Sequence, residues 1–200
     1  MLLLIKYTLL YGIVLMLVAL GGMFSEHSGI INIALEGIMV IGGVAGVLTL
    51  TMLPAGLSPF LTVLISVLVA ALAGVVYSLL LAFASINLKA DQTIGGMAYI
   101  VPPVQTWNFE VGVAGAGFLA LAVMIFGQWK PFNICAAAMF FAVFKSLANI
   151  ADSTFLAQFH WSSNIYNMMP FIASMIILAF TSKNSMAPKA EGIPYDKGSR

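Results

Sequence analysis

The sequence predicts an all-α protein, a polytopic transmembrane helix bundle of about six spans plus one or two broken or re-entrant helices. Three observations carry that prediction. Of the 200 residues, 62% are hydrophobic and only 8% are charged, against about 25% charged in ordinary soluble domains. The mean hydropathy is +1.05. The apolar residues also fall into long uncharged runs. Each run approaches the roughly 20 residues that a helix needs to cross the hydrocarbon.

Tyr7–Phe24 carries no charge and is the first span. Ile30–Met52 is the second, and its Gly42 and Gly46 are spaced for close approach by another helix. Glycines are also simply common in membrane helices, so the pair has a bland reading as well. The turn LPAGLSP, residues 53–59, ends this span because Pro54, Gly56 and Pro59 break regular structure. Phe60–Ile86 is the third and longest span, followed by the polar break NLKADQ, residues 87–92. Residues 93–107 are apolar but cut by Gly95, Gly96, Pro102 and Pro103, which suits a re-entrant or broken helix. Val111–Gly127 is the fourth span, QWKP at residues 128–131 a tight turn, and Phe132–Ile150 the fifth span. A polar and aromatic connection at residues 151–164 leads to the sixth span, Ile165–Thr181. Trp129, Trp161 and Tyr166 read as interface anchors.

Six spans place both termini on one side. The tail carries Lys183, Lys189, Lys197 and Arg200, the richest basic flank, and is therefore expected in the cytoplasm. The organisation expected is a transmembrane domain at residues 1–182 and a polar tail at 183–200. Lys89 would face outward, which fits better if residues 87–107 dip into the membrane without crossing. The N-terminus does not read as a signal peptide: Lys6 is its sole cation and no small-residue cleavage site follows.

Several function classes find no support. A net charge of +1, with no basic cluster interleaved with aromatics, gives no nucleic-acid surface. Cys135 is the lone cysteine and His27 and His160 are the only histidines, so no metal site is expected. No P-loop, GxSxG or HExxH pattern occurs. Asp152 and His160 stand eight residues apart in a polar connection, a poor start for acid–base chemistry. The chain is not expected to be an enzyme.

FSEHSGIINIALEG, residues 24–37, is unusual between two apolar runs. Ser28, Asn32 and Glu36 are spaced i, i+4, i+8 and would form one stripe on a helix. A carboxylate at the bilayer centre costs about 2.5–3.5 kcal/mol on insertion scales, so such a stripe faces the bundle interior, a water-filled cavity or a partner. The competing reading makes Ser25–Gly29 a surface loop and Glu36 an interfacial residue. A helix broken at Gly29 would leave a half-helix N-terminus inside the membrane, an arrangement that serves solute sites in transporters. KADQTIGG, residues 89–96, has a similar polar then Gly-interrupted design, which adds Asp91 and Gln92 to Ser28, Asn32 and Glu36 as candidate pathway residues.

GGMFSEHSGIINIALEGIMVIGG, residues 21–43, resembles the signature of integral-membrane permeases of bacterial ABC importers for nucleosides and simple sugars, a group related to the branched-chain amino acid permeases. KADQTIGGMA (89–98), GAGFLALAVMIFGQWKP (115–131) and APKAEGIPYDKGSR (187–200) resemble three further landmarks in the same order. The resemblance implies a permease subunit in the cell membrane that forms part of a nucleoside or simple-sugar pathway. It implies pairing with a homologous permease, with a cytoplasmic ABC ATPase that binds the ATP, and with an extracytoplasmic solute-binding lipoprotein. The chain itself would hold no cofactor. Two departures stand out. His27 occupies a position where the family usually has Arg or Lys, and a central piece is missing between Ile100 and Val111, including a cytoplasmic segment that contacts the ATPase. The alternative implied is an internally deleted, non-transporting membrane remnant or scaffold.

Overall fold

The computed structural model describes residues 1–89, 116–150, 163–181 and 187–189. Among them are six helices and no strands: α1 (Leu2–His27), α2 (Leu35–Met52), α3 (Pro59–Ile86), α4 (Ala116–Phe126), α5 (Pro131–Ile150) and α6 (Ser163–Thr181). Four of these, α1, α2, α3 and α5, are long and apolar enough to cross a membrane. The expected re-entrant segment at 93–107, the connection at 151–162 and nearly all of the tail lie outside the described residues, as do Asp91 and Gln92.

The helices form two compact units, one holding Met1–Phe24 with the described part of Leu119–Lys189, the other the described part of Ser25–Phe118. In the first unit, α5 turns its small and apolar positions Ile134, Ala137, Ala138, Phe141, Ala142 and Ser146 inward. Their three- and four-residue spacing is that of one helix face. Gly12 of α1 lies against Met139 and Ala142. The Ser146 hydroxyl donates to the Leu4 carbonyl at 3.1 Å, and the Asn149 amide donates to the Tyr11 hydroxyl at 2.7 Å. Phe126 at the end of α4 packs edge-on against Phe141 with ring centroids 5.6 Å apart. The α4–α5 turn leaves no room at Gly127, where a Cβ would stand 2.5–2.7 Å from Ile134. Trp129 in that turn is buried, not set at an exposed interface as its sequence position suggested.

In the second unit, α2 and α3 form an antiparallel hairpin. Its turn has a local cause. Ser58 caps α3 by accepting from the Leu61 N–H, and Pro59 occupies the first helical turn, where its missing N–H costs nothing. A Cβ at Gly42 would meet the Ala70 carbonyl oxygen at 3.3 Å, one at Gly46 the Ala70 Cβ at 3.4 Å, and one at Gly74 the Ile38 side chain at 3.6 Å. Small residues thus set the approach of the two helices. Only Ser66, Leu81 and Ser85 of the 28-residue α3 are buried, and most of its remaining apolar surface is exposed. A helix apolar on nearly every side is stable only in lipid or under further helices.

The expected second span is corrected at its start. Helix begins at Leu35 and not at Ile30, because residues 28–34 leave the helical path. Ser28, Asn32 and Glu36 therefore do not form a stripe on one helix.

Candidate functional site

The break between α1 and α2 is built by a specific hydrogen-bond pair. The Ile30 N–H donates to the Ser25 carbonyl at 3.3 Å and the Gly29 N–H to the Glu26 carbonyl at 2.9 Å. This is the double closure that ends helices at a left-handed residue. Gly29 supplies that residue with φ 91°, a conformation that costs other residues roughly 1–2 kcal/mol. The sequence SEHSGI thus encodes its own helix stop. The Ser25 hydroxyl donates to the Ile30 carbonyl at 3.0 Å, and the exposed Ser28 donates to the Ser25 carbonyl at 2.6 Å, so both serines reinforce the same turn.

Glu36 lies in the first turn of α2 and is 1% exposed. Its carboxylate accepts from the Gly117 N–H at 2.5 Å, in the first described turn of α4. Hydrogen bonds to a charged group contribute about 1.5–3 kcal/mol, and negative charge is favoured in the first turn of a helix. That pairing offsets much of the cost of burying a carboxylate. Gly117 is required for it: a Cβ there would stand 2.5 Å from the Glu36 Cα and N and 2.6 Å from Oε2. From the sequence, Glu36 reads only as a member of a polar stripe or as an interfacial residue. Its partner is a backbone amide 81 residues away, which residue spacing could not reveal.

Asn32 is 8% exposed, and its Oδ1 has no hydrogen-bond partner. Leaving such an acceptor unpaired in the interior costs about 1–3 kcal/mol. The structure thus keeps the three candidates in one short segment but gives them separate situations. Ser28 is spent on the turn, Glu36 on α4, and Asn32 holds an unused oxygen. A groove of about 450 Å³ on the α2–α3 hairpin, lined by Ile41, Val69, Ala73, Tyr77 and neighbouring apolar side chains, offers little to a polar ligand. No cluster of metal-binding side chains occurs among the described residues.

The family described as branched-chain amino acid transport system / permease component matches residues 4–101, a stretch that contains α1, the break, α2 and α3. The guanosine ABC transporter permease protein NupQ of Bacillus subtilis is 27% identical over 312 aligned positions, covering 96% of this chain and 96% of NupQ. The nucleoside ABC transporter permease protein NupC of Lactococcus lactis is 24% identical over 303 positions, covering 94% of this chain and 95% of NupC. The chain is thus permease-like, similar to this family over residues 4–101 and to both relatives over nearly its whole length. The permease also shares 36% identity over 100 residues with an uncharacterized protein of Mycoplasma genitalium, covering 48% of the permease and 30% of that protein. No solved structure matches it significantly.

The two long alignments exceed the permease's own length, 312 and 303 positions against 200 residues. They also take in nearly all of it, so the unmatched stretch of each relative falls inside the chain and not beyond its ends. The family match stops at residue 101, where the sequence places the missing centre. With its apolar helices, the permease is a multi-pass membrane protein.

Proposed function

We propose that the permease is a membrane subunit of an ABC-type importer that carries nucleosides into the cell. The observation that carries this reading is the nearly end-to-end alignment with two nucleoside ABC permeases. Nucleosides take precedence over simple sugars on the same ground. ATP is bound and hydrolysed by a separate cytoplasmic ATPase. A solute-binding lipoprotein delivers the nucleoside from outside, and a homologous permease completes a heterodimer. The missing centre takes with it the usual contact to the ATPase, so coupling runs through that partner permease. The tail from residue 183 faces the cytoplasm. The α1–α2 break, with Ser28, Asn32 and Glu36, forms one wall of the pathway, and Asp91 and Gln92 contribute to it from the next polar segment.

The non-transporting remnant is the weaker reading. A passive scaffold has no use for three buried polar residues, Glu26, Asn32 and Glu36, beside a helix break. Uptake of a labelled nucleoside by cells that lack the permease tests the proposal.

A further inference from the structure

We infer that Asn32 is the residue of the break that hydrogen-bonds the transported solute, its amide oxygen accepting from a hydroxyl or amino hydrogen of the nucleoside. The inference rests on the proposed function and sharpens its site. The other candidates on this wall are already engaged: Ser25 bonds the Ile30 carbonyl, Ser28 the Ser25 carbonyl, and Glu36 the Gly117 amide. Asn32 Oδ1 differs from all of them. It is the one buried side-chain polar atom without a hydrogen-bond partner among the described residues.

Its position deepens the contrast. Asparagine is among the best helix N-caps. Asn32 stands two residues before Ala34, the residue at the α2 N-cap position, and α2 has no side-chain cap. Asn32 therefore contributes nothing to starting the helix beside it. A buried acceptor kept unpaired weakens the fold unless something supplies a donor. A nucleoside, with its ribose hydroxyls and base amino hydrogens, supplies such donors. A fixed water is the competing donor source, and it needs further polar partners around it to be held.

The test replaces the chromosomal copy with Asn32→Leu, which keeps the branched shape and removes both polar atoms. Uptake is measured for a labelled nucleoside and for analogues that each lack one hydroxyl or the base amino group. The thermal midpoint of the purified permease is measured in parallel. In wild type, one of the analogues is imported about 10- to 100-fold less efficiently than the parent. In Asn32→Leu, uptake of the parent falls by a similar factor, the analogue is no longer distinguished, and the midpoint is unchanged or higher. Unchanged uptake, retained discrimination, or a lowered midpoint accompanying the loss would each overturn the inference. Nucleoside import that never depended on the permease would instead remove the proposed function itself, a result visible in the wild-type and deletion strains alone.

Discussion

Gly117→Ala adds one methyl group where the structure has no space for it. The new Cβ would lie 2.5 Å from the Glu36 Cα, 2.5 Å from the Glu36 N and 2.6 Å from Oε2. Two of these three atoms are backbone of α2 and cannot swing aside. Carbon contacts settle near 3.5–4.0 Å, so the start of α4 must back away from α2 by about 1 Å. Overpacking of this kind typically costs about 1–3 kcal/mol. The same displacement stretches the bond between the Glu36 carboxylate and the Gly117 amide, which contributes about 1.5–3 kcal/mol. Taken together, the loss is about 2.5–6 kcal/mol. At roughly 2–4 °C per kcal/mol for a chain of this size, the melting midpoint falls by about 5–24 °C. The assay is thermal unfolding of the detergent-solubilised permease, followed by the loss of its monodisperse peak in fluorescence-detected size exclusion. A midpoint within about 2 °C of wild type would show that α4 is not held against Glu36 as described.

Three further substitutions probe the elements around the candidate site. Gly29→Ala forces a methyl-bearing residue into the left-handed conformation at φ 91° and should cost about 1–2 kcal/mol, read as a midpoint lowered by a few degrees. In the α2–α3 hairpin, Gly46→Ala meets Ala70 at an ordinary 3.4 Å and should leave the midpoint almost unchanged. Gly42→Leu, facing the Ala70 carbonyl at 3.3 Å, should lower it clearly. Equal effects of these last two would contradict the packing.

Much of the fold was legible because membrane spans are written in composition. The α3 and α5 boundaries fall within a residue of the apolar runs, since Pro59 and Pro131 mark both starts chemically. The first helix runs to Leu2–His27, beyond the uncharged Tyr7–Phe24, because helical hydrogen bonding continues past the purely apolar stretch. The start of α2 was not legible. INIALEG has the residues of a helix, but the stop at Gly29 keeps residues 28–34 out of it, and Ala34 gives no capping signal. That misreading also produced the stripe of Ser28, Asn32 and Glu36. The polar segment stood out as a candidate site from its composition alone. How its side chains divide the work depends on Gly117, and contact between positions 36 and 117 leaves no mark in local spacing.

The segment the chain shares with the family holds the break, the buried carboxylate and the close-packed hairpin, while the relatives' unmatched stretch falls after them. The most direct measurement is ATP-dependent uptake of a labelled nucleoside in three strains: wild type, one lacking the permease, and one in which the 200-residue chain is restored. The account predicts that uptake disappears on deletion and returns with the restored chain. Uptake that persists without the permease, or fails to return with it, would contradict the central claim.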